Sequence, residues 1–449
     1  MEIYSTDDII FALATPWGTG ALSVVRVSGQ SCIEKLASVF RSRNKLTEVP
    51  SGTAVYGSLV KGINAECSVI DNCIATVWKD GHGYTGEDAV ELSCHGGLQT
   101  VEAVLSFLPS LGMRQASRGE FSLRAFLHGK MDLTRAEAVR ELIDSRSDSA
   151  RATALGRLEG NLEKQIKKVR DDILDVMGTV EVQLDYAEDE TEPDIEFPAK
   201  TVSRAIESLN AIRATYSTGR LYGQGARIVL AGAVNAGKSS LFNRMLREER
   251  SIVSSREGTT RDFIEAQCVI DGIPVRLYDT AGLRDSSDDI EEEGIRRSRL
   301  LFEQADIILW LADPSNPVRD SEIENDSRCI CVATKSDVSQ ADIKGFISFS
   351  SVTGKGYEEL CRAISAKLRE GLAPVPEGAL VIQSARQKEC LDRACQALED
   401  TLEHVKEGLS LDIVSIDIRE ALDALGELTG EVTTDDILEN IFSNFCVGK

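Results

Sequence analysis

The alternation of apolar and polar positions changes period along the chain. Up to about residue 117, short β-like runs such as Val69-Ile-Asp-Asn-Cys-Ile-Ala-Thr-Val-Trp78 surround one expected helix around Leu98 to Leu108, which predicts an α/β domain. From Leu155 the period becomes helical. Leu158, Leu162, Ile166, Val169, Ile173, Val176, Val180 and Leu184 recur at spacings of three and four, predicting one long amphipathic helix that ends in the acidic stretch Asp185 to Pro193. The pattern is not sustained much beyond four heptads, so packing within a helical domain is preferred to a coiled coil. A second helix carries Val202, Ile206, Leu209, Ile212 and Tyr216 toward Gly219. Uninterrupted apolar runs follow at 227–231, 307–312 and 329–333 and read as buried strands. After the linker Leu372-Ala-Pro-Val-Pro-Glu-Gly378, helical patterns resume from Val381 to Val405 and from Ile416 to Phe445.

The first buried run leads into Gly232-Ala-Val-Asn235-Ala236-Gly237-Lys238-Ser239, a Walker A motif, with Ser240-Leu-Phe-Asn-Arg-Met-Leu246 as the helix behind it. A glycine-rich turn between strand and helix aims backbone N–H groups at phosphates. Lys238 supplies a cation and Ser239 a hydroxyl for Mg²⁺. Roughly forty residues on, Asp279-Thr280-Ala281-Gly282 ends a strand with an acid for the Mg²⁺ shell. Between them Gly258-Thr259-Thr260 suits switch I, with Thr260 as a second Mg²⁺ hydroxyl. Thr334-Lys335-Ser336-Asp337 resembles the NKxD guanine signature. Asp337 would accept from guanine N1–H and the exocyclic amine, a pairing adenine cannot make, while Thr334 stands where Asn is usual. Ser350-Ser351-Val352 opens the last base-contacting loop. Together the strings are in the order expected of a Ras-like G domain.

Ras-like proteins that orient water with glutamine carry it directly after the switch II glycine, but this chain has Leu283 there. The acidic run Asp288-Asp-Ile-Glu291-Glu292-Glu293 could deliver a carboxylate instead, or could be the solvated start of a helix.

Further strings carry a resemblance over essentially the whole length. The runs Asp8 to Gly29, Tyr84-Thr-Gly-Glu-Asp88, Glu91-Leu-Ser-Cys-His-Gly-Gly97, Arg118 to Lys130 and Phe445-Cys446-Val-Gly-Lys449 resemble the MnmE (TrmE) family of tRNA modification GTPases. The resemblance implies a multidomain α/β plus all-α fold. Its parts would be a folate-binding and dimerisation domain (1–117), a discontinuous helical domain (118–224 and 373–449), and an inserted Ras-like P-loop G domain (225–372). It implies a K⁺-dependent GTPase that, with the flavoprotein MnmG in a heterotetramer, adds an aminomethyl or carboxymethylaminomethyl group to C5 of the wobble uridine of certain tRNAs. The one-carbon donor would be 5-formyltetrahydrofolate or a related folate.

Residue by residue, Arg26, Glu91, Lys130 and Lys449 match the family's folate contacts, and Cys446 its modification centre. A buried inert thiol is the alternative for Cys446; a CaaX lipidation box is disfavoured by Lys449 in the last position. Glu291 aligns with the glutamate that orients water. Asn235 occupies the K⁺ position, which Ser254, Arg256 and Thr259 would complete. Ser255, Glu257 and Gly258 would join them around GTP.

Composition adds constraints. At 449 residues the chain exceeds one ordinary core. Eleven cysteines are scattered without a CxxC pair, which argues against a structural zinc. The start has no basic leader and no apolar run approaches the ~18 residues that cross a bilayer, so a cytoplasmic protein is expected. The net charge of −23 repels a polyanion, so tRNA contact is expected to be local or shared with MnmG. Two other functional classes remain: a ribosome-docking GTP switch of the Era or Der type, and a folate-dependent methyltransferase using its G domain only for assembly. The first usually brings a basic KH-like module, which is absent here.

Overall fold

The computed structural model describes residues 7–62, 68–187, 196–248, 264–279, 301–339, 343–370, 372 and 380–449. They form two compact units. One comprises 1–140, 162–167 and 423–449, the other 141–161 and 168–422.

The first unit is built on a seven-stranded sheet of β1 (Ile10–Leu13), β2 (Leu22–Ser28), β3 (Phe40–Ser42), β4 (Thr53–Lys61), β5 (Ser68–Trp78), β6 (Ala89–His95) and β7 (Arg114–Gln115), in the order β3-β4-β5-β6-β2-β1-β7. All pairs are antiparallel except β1 with β7. Strand alternation sends Val25, Val27, Ala75, Val77, Val90 and Leu92 to one face, where they form a core with Ile33, Leu36, Val104 and Leu108. The intervening residues line the other face. Arg26 of β2 therefore stands opposite Glu91 of β6, and Tyr56 of β4 opposite Ile74 of β5.

The C-terminal segment belongs to this unit. Leu438 and Phe442 of helix Asp435–Phe442, with Phe445, pack against Leu123, Leu133 and Ala136. Two glycines let the chain approach closely. A Cβ on Gly119 (φ 68°) would lie 2.5 Å from the Phe442 carbonyl oxygen, and one on Gly448 (φ 98°) 2.5 Å from that of Leu13. An antiparallel bridge between Arg118 and Val447 completes the attachment. A boundary at 117 therefore falls inside this unit, because helices Glu120–Leu127 and Leu133–Asp144 carry the surface on which the tail packs.

The second unit contains a six-stranded sheet of β8 (Ala226–Gly232), β9 (Ile264–Ile270), β10 (Ile273–Asp279), β11 (Ile307–Ala312), β12 (Cys329–Ala333) and β13 (Ile347–Ser348), ordered β13-β12-β11-β8-β10-β9. Only β9 and β10 pair antiparallel, across Asp271-Gly272, both at positive φ as a two-residue hairpin requires. The parallel strands point their carboxyl ends the same way, and in such sheets ligands bind there.

Helices Ala199–Arg213 and Ala385–Glu407 pack against each other in the same unit. Where the chain enters and leaves the sheet, Ile382 N–H donates to Thr215 Oγ1 at 3.2 Å. Gly219 and Gly223 of helix Tyr216–Gln224 leave no room for a Cβ beside the Ile382 carbonyl and Gln383. Three expected helices are each two. Gly160 (φ 79°) interrupts the period between Asp148–Leu158 and Asn161–Ala187. A break at 214–215 separates Ala199–Arg213 from Tyr216–Gln224, and one at 430–434 separates Leu411–Thr429 from Asp435–Phe442. None of the described helices is long and apolar enough to cross a membrane.

Candidate functional site

The loop after β8 turns at Gly232 (φ 141°), Asn235 (φ 62°) and Gly237 (φ 91°) before a helix begins at Lys238. A Cβ on Gly232 would lie 2.3 Å from the Leu311 carbonyl oxygen, so only glycine fits. The turn exposes Asn235, Ser239 and Ser240 and buries Ala236 and Lys238. Lys238 Nζ donates to the carbonyls of Gly232 (3.0 Å) and Ala233 (2.9 Å), which aims the cation along the loop. Ser239 Oγ donates to Asp279 Oδ2 at 2.9 Å. A hydroxyl from the first turn of the helix and a carboxylate from the end of β10 thus meet at one point beside the loop, the donor set expected around Mg²⁺ in P-loop enzymes.

The base loops are braced on the phosphate loop. Thr334, buried after β12, donates from Oγ1 to the Ala236 carbonyl at 2.8 Å, so the hydroxyl in the usual asparagine position joins the two loops directly. Asp337 is oriented by Ser350, whose Oγ donates to its Oδ1 at 2.6 Å. Ser336 N–H bonds the Phe349 carbonyl at 3.1 Å. Ser351 is half-buried and Val352 exposed. One contributor escaped the sequence reading: Asp313, directly after β11, pairs with Lys335 at 2.7 Å. The Lys335 ammonium and the Ser315 N–H hold the Asp313 carboxyl below its ordinary range. An acid at a strand's carboxyl end beside the Walker strand was the signal.

Replacing Thr334 with Val removes the donor but keeps the shape. It should leave the Ala236 carbonyl unpaired and lower guanine-nucleotide affinity by about tenfold, the size of one lost hydrogen bond. Thr334→Asn should retain affinity. Calorimetric titration with GDP compares the two; an undiminished Val variant would remove the brace from the site.

Ser254, Ser255, Arg256, Glu257, Gly258, Thr259, Thr260, Thr280, Ala281, Gly282 and Glu291 lie outside the described residues.

The first unit holds a second constellation. A cavity of 220 Å³ is lined by Arg26, Glu91, Tyr84, Trp78, His82 and Thr85, among others. Arg26 Nε and Nη2 each lie 2.9 Å from Glu91 Oε1, and Nη1 donates to the Gly448 carbonyl at 3.3 Å. The guanidinium lies 5.1 Å from the Tyr84 ring centroid, and Lys449 Nζ 5.8 Å from the same ring. Burial, and then the Arg26 charge, pull the Lys449 ammonium down from its ordinary value against the opposing pull of Glu91 and Cys446. Burial likewise pushes the Tyr84 phenol up, opposed by a hydrogen bond from Ser122 and by Arg26. Arg26, Glu91 and Lys449 are thus brought together. Lys130 stands at the rim, exposed, with Nζ donating to the Gly81 carbonyl at 2.9 Å in the loop that carries His82 and Tyr84. The aromatic residues Tyr84 and Trp78 were not anticipated as site residues, although Tyr84 opens one of the strings noted above.

Cys446 is exposed, which removes the buried-thiol alternative. Its backbone carbonyl accepts from Gly119 N–H at 3.5 Å and from Lys449 N–H at 3.4 Å.

A mostly parallel sheet with a Walker loop, a hydrogen-bonded Ser–Asp pair beside it and a braced guanine-type base loop defines a P-loop GTPase. Residues 9–130 match the family described as "GTP-binding protein TrmE N-terminus", and residues 133–446 match "MnmE helical domain". The tRNA modification GTPases MnmE of Borrelia recurrentis and Treponema denticola are 37% and 38% identical to this chain, the first over 100% of both chains and the second over 99% of both. That of Aquifex aeolicus is 38% identical over 98% of this chain and 99% of its own. A solved G domain of the T. maritima FeoB iron transporter aligns with 32% of the chain, and 98% of its own, at 29% identity and a TM-score of 0.26. The chain belongs to the MnmE family of tRNA modification GTPases. It is an enzyme that hydrolyses GTP in tRNA modification.

Proposed function

We propose that this chain is a K⁺-dependent GTPase that, with MnmG in a heterotetramer, adds an aminomethyl or carboxymethylaminomethyl group to C5 of a tRNA wobble uridine. A formyl-tetrahydrofolate-type donor supplies the carbon. The observation that carries this reading is the tail. Cys446 and Lys449 are far from Arg26 and Glu91 in sequence, yet Gly448 meets Arg26 and Lys449 lies over the Tyr84 ring beside an aromatic-lined cavity.

The cavity's acceptor, aromatic face and cations suit a reduced pterin. Glu91 offers a carboxylate to ring N–H groups, Tyr84 an aromatic face, and Arg26, Lys130 and Lys449 cations for the acidic tail. At 220 Å³ it is smaller than the ~300–1,000 Å³ of ordinary small-molecule sites, which favours completion by a second chain. The homodimer would form through the N-terminal domain. In its support, Tyr56 (70% exposed) and Ile74 stand opposed and uncovered on the outward sheet face. The proposed functional division is residues 1–117, the helices of 118–224 and 373–449, and the G domain of 225–372; structurally, 118–140 and 423–449 belong with the first of these.

In the G domain, Ser239 and Thr260 would hold Mg²⁺, with Asp279 behind Ser239. Asn235, Ser254, Arg256 and Thr259 would hold K⁺, whose charge offsets that of the β/γ-phosphates. The positive φ of Asn235 places its side chain on the exposed side of the phosphate loop, a position compatible with that role. Glu291 would orient the attacking water. Glu291→Ala should then lower kcat by about 10²- to 10⁴-fold with little change in nucleotide affinity, the range expected for a lost general base. Replacing KCl by NaCl at fixed ionic strength should also slow turnover. Wild-type turnover in Glu291→Ala would move the role to Glu292 or Glu293.

The switch reading is disfavoured by the cavity and tail, which a docking GTPase does not need. Mass spectrometry of wobble nucleosides from cells lacking the protein tests the choice. Loss of the C5 modification is expected, and unchanged nucleosides would favour the switch.

A further inference from the structure

Helices Ala199–Arg213 and Ala385–Glu407, with the start of Tyr216–Gln224, leave a groove of 500 Å³ lined by Asn210, Arg213, Tyr216, Ser217, Lys388 and Asp392. This volume lies within the ~300–1,000 Å³ range of ligand sites, and no step assigned above uses it. Apart from Ala214, the residues around it carry charged, amide, hydroxyl or aromatic side chains.

The charges in the groove do not balance. Arg213 lies 3.4 Å from Asp392 Oδ1, and Lys388 pairs with the other oxygen of the same carboxylate. Two cations share one acid, leaving local positive charge on a chain of net charge −23. All three side chains remain partly open to water. Lys388 Nζ lies 5.9 Å from the centroid of the Tyr216 ring, so cation and aromatic face adjoin.

We propose that this groove binds one phosphorylated nucleoside unit. Arg213 and Lys388 take the phosphate in exchange for Asp392, and Tyr216 offers its ring to the base, as aromatic platforms do for nucleic-acid strands. The unit can belong to an RNA strand or be a free nucleotide. On an enzyme of tRNA modification, the strand would dock at the junction through which the chain enters and leaves the G-domain sheet.

The test uses the full-length chain with an unmodified tRNA transcript, titrated by filter binding over a range of salt, and with UMP, titrated by calorimetry. Arg213→Gln and Lys388→Gln should each weaken tRNA binding by about tenfold at low salt and flatten the plot of log affinity against log salt by roughly 0.7–0.9 per lost cation. Asp392→Asn should act in the opposite direction and tighten binding, because it frees both cations. A variant set that merely unfolds would weaken in all three cases, and that outcome overturns the proposal. If UMP binding follows the predicted signs while tRNA binding does not, the occupant is a free nucleotide and the site stands. Unchanged binding of both ligands in all three variants overturns it.

Discussion

Asp337→Asn should lower GTP affinity by about 10²- to 10⁴-fold and raise affinity for xanthosine triphosphate. Asp337 is expected to accept two hydrogen bonds from guanine, each to a charged acceptor and each contributing roughly 1.5–3 kcal/mol. The structure adds a reason for the large effect. Ser350 Oγ donates to one carboxylate oxygen at 2.6 Å, so the acid is oriented before the base arrives and little is lost in ordering it. An asparagine presents an N–H where guanine also presents donors, leaving unpaired groups on both sides. Xanthine has a carbonyl where guanine has its amine and pairs with the amide instead. Calorimetry with both nucleotides measures the switch. Equal GTP affinity in wild type and variant would take Asp337 out of the base site.

How much was legible depended on the range of the determining contacts. The strands of the nucleotide sheet were readable because residues such as Ile228, Val229 and Leu230 are buried on both faces and leave an uninterrupted apolar run. The phosphate loop was readable because its glycines answer a local demand: at Gly232 any side chain meets the Leu311 carbonyl. The helix breaks at Gly160 and at 214–215 were missed because apolar spacing continues across them, and a single glycine does not distinguish a weak helix from a cap.

Partnerships set by tertiary contact were the least legible. Thr334 stands where asparagine is usual, and only its distance to the Ala236 carbonyl shows that it braces the two loops directly. Asp313 carries no motif, and its part depends on Lys335, twenty-odd residues later. Arg26 and Glu91 were proposed from resemblance; their contact follows from the β2–β6 register, which no local pattern states. The packing of 118–140 beneath the tail was likewise invisible, since its apolar positions suit a helical domain equally well.

The tail also gives the second large expected effect. Cys446→Ser should lower wobble-uridine modification in the presence of MnmG by more than about a hundredfold, within the 10²–10⁴ range of a lost acid–base or nucleophilic group. Folding and GTP hydrolysis should be almost unchanged. The separation follows from what fixes the segment. Phe445 is buried against Phe442, with ring centroids 5.3 Å apart, and Gly448 presses on Leu13. The backbone carbonyl of residue 446, not its thiol, accepts the bonds from Gly119 and Lys449. An exposed sulfur that holds nothing in place can become oxygen at a cost within about 0.5 kcal/mol. Serine keeps the volume but its hydroxyl is a far weaker nucleophile than a thiol, so any step that needs the sulfur fails. Arg26→Ala is the contrasting variant. It removes the bond to the Gly448 carbonyl and the ion pair with Glu91, so it should loosen the tail as well as the cavity. Melting temperature, GTPase rate and modified nucleoside, measured on each preparation, tell the cases apart. A Cys446→Ser protein that modifies tRNA normally removes the thiol from the chemistry, and a joint fall of all three quantities would make it a structural residue despite its exposure.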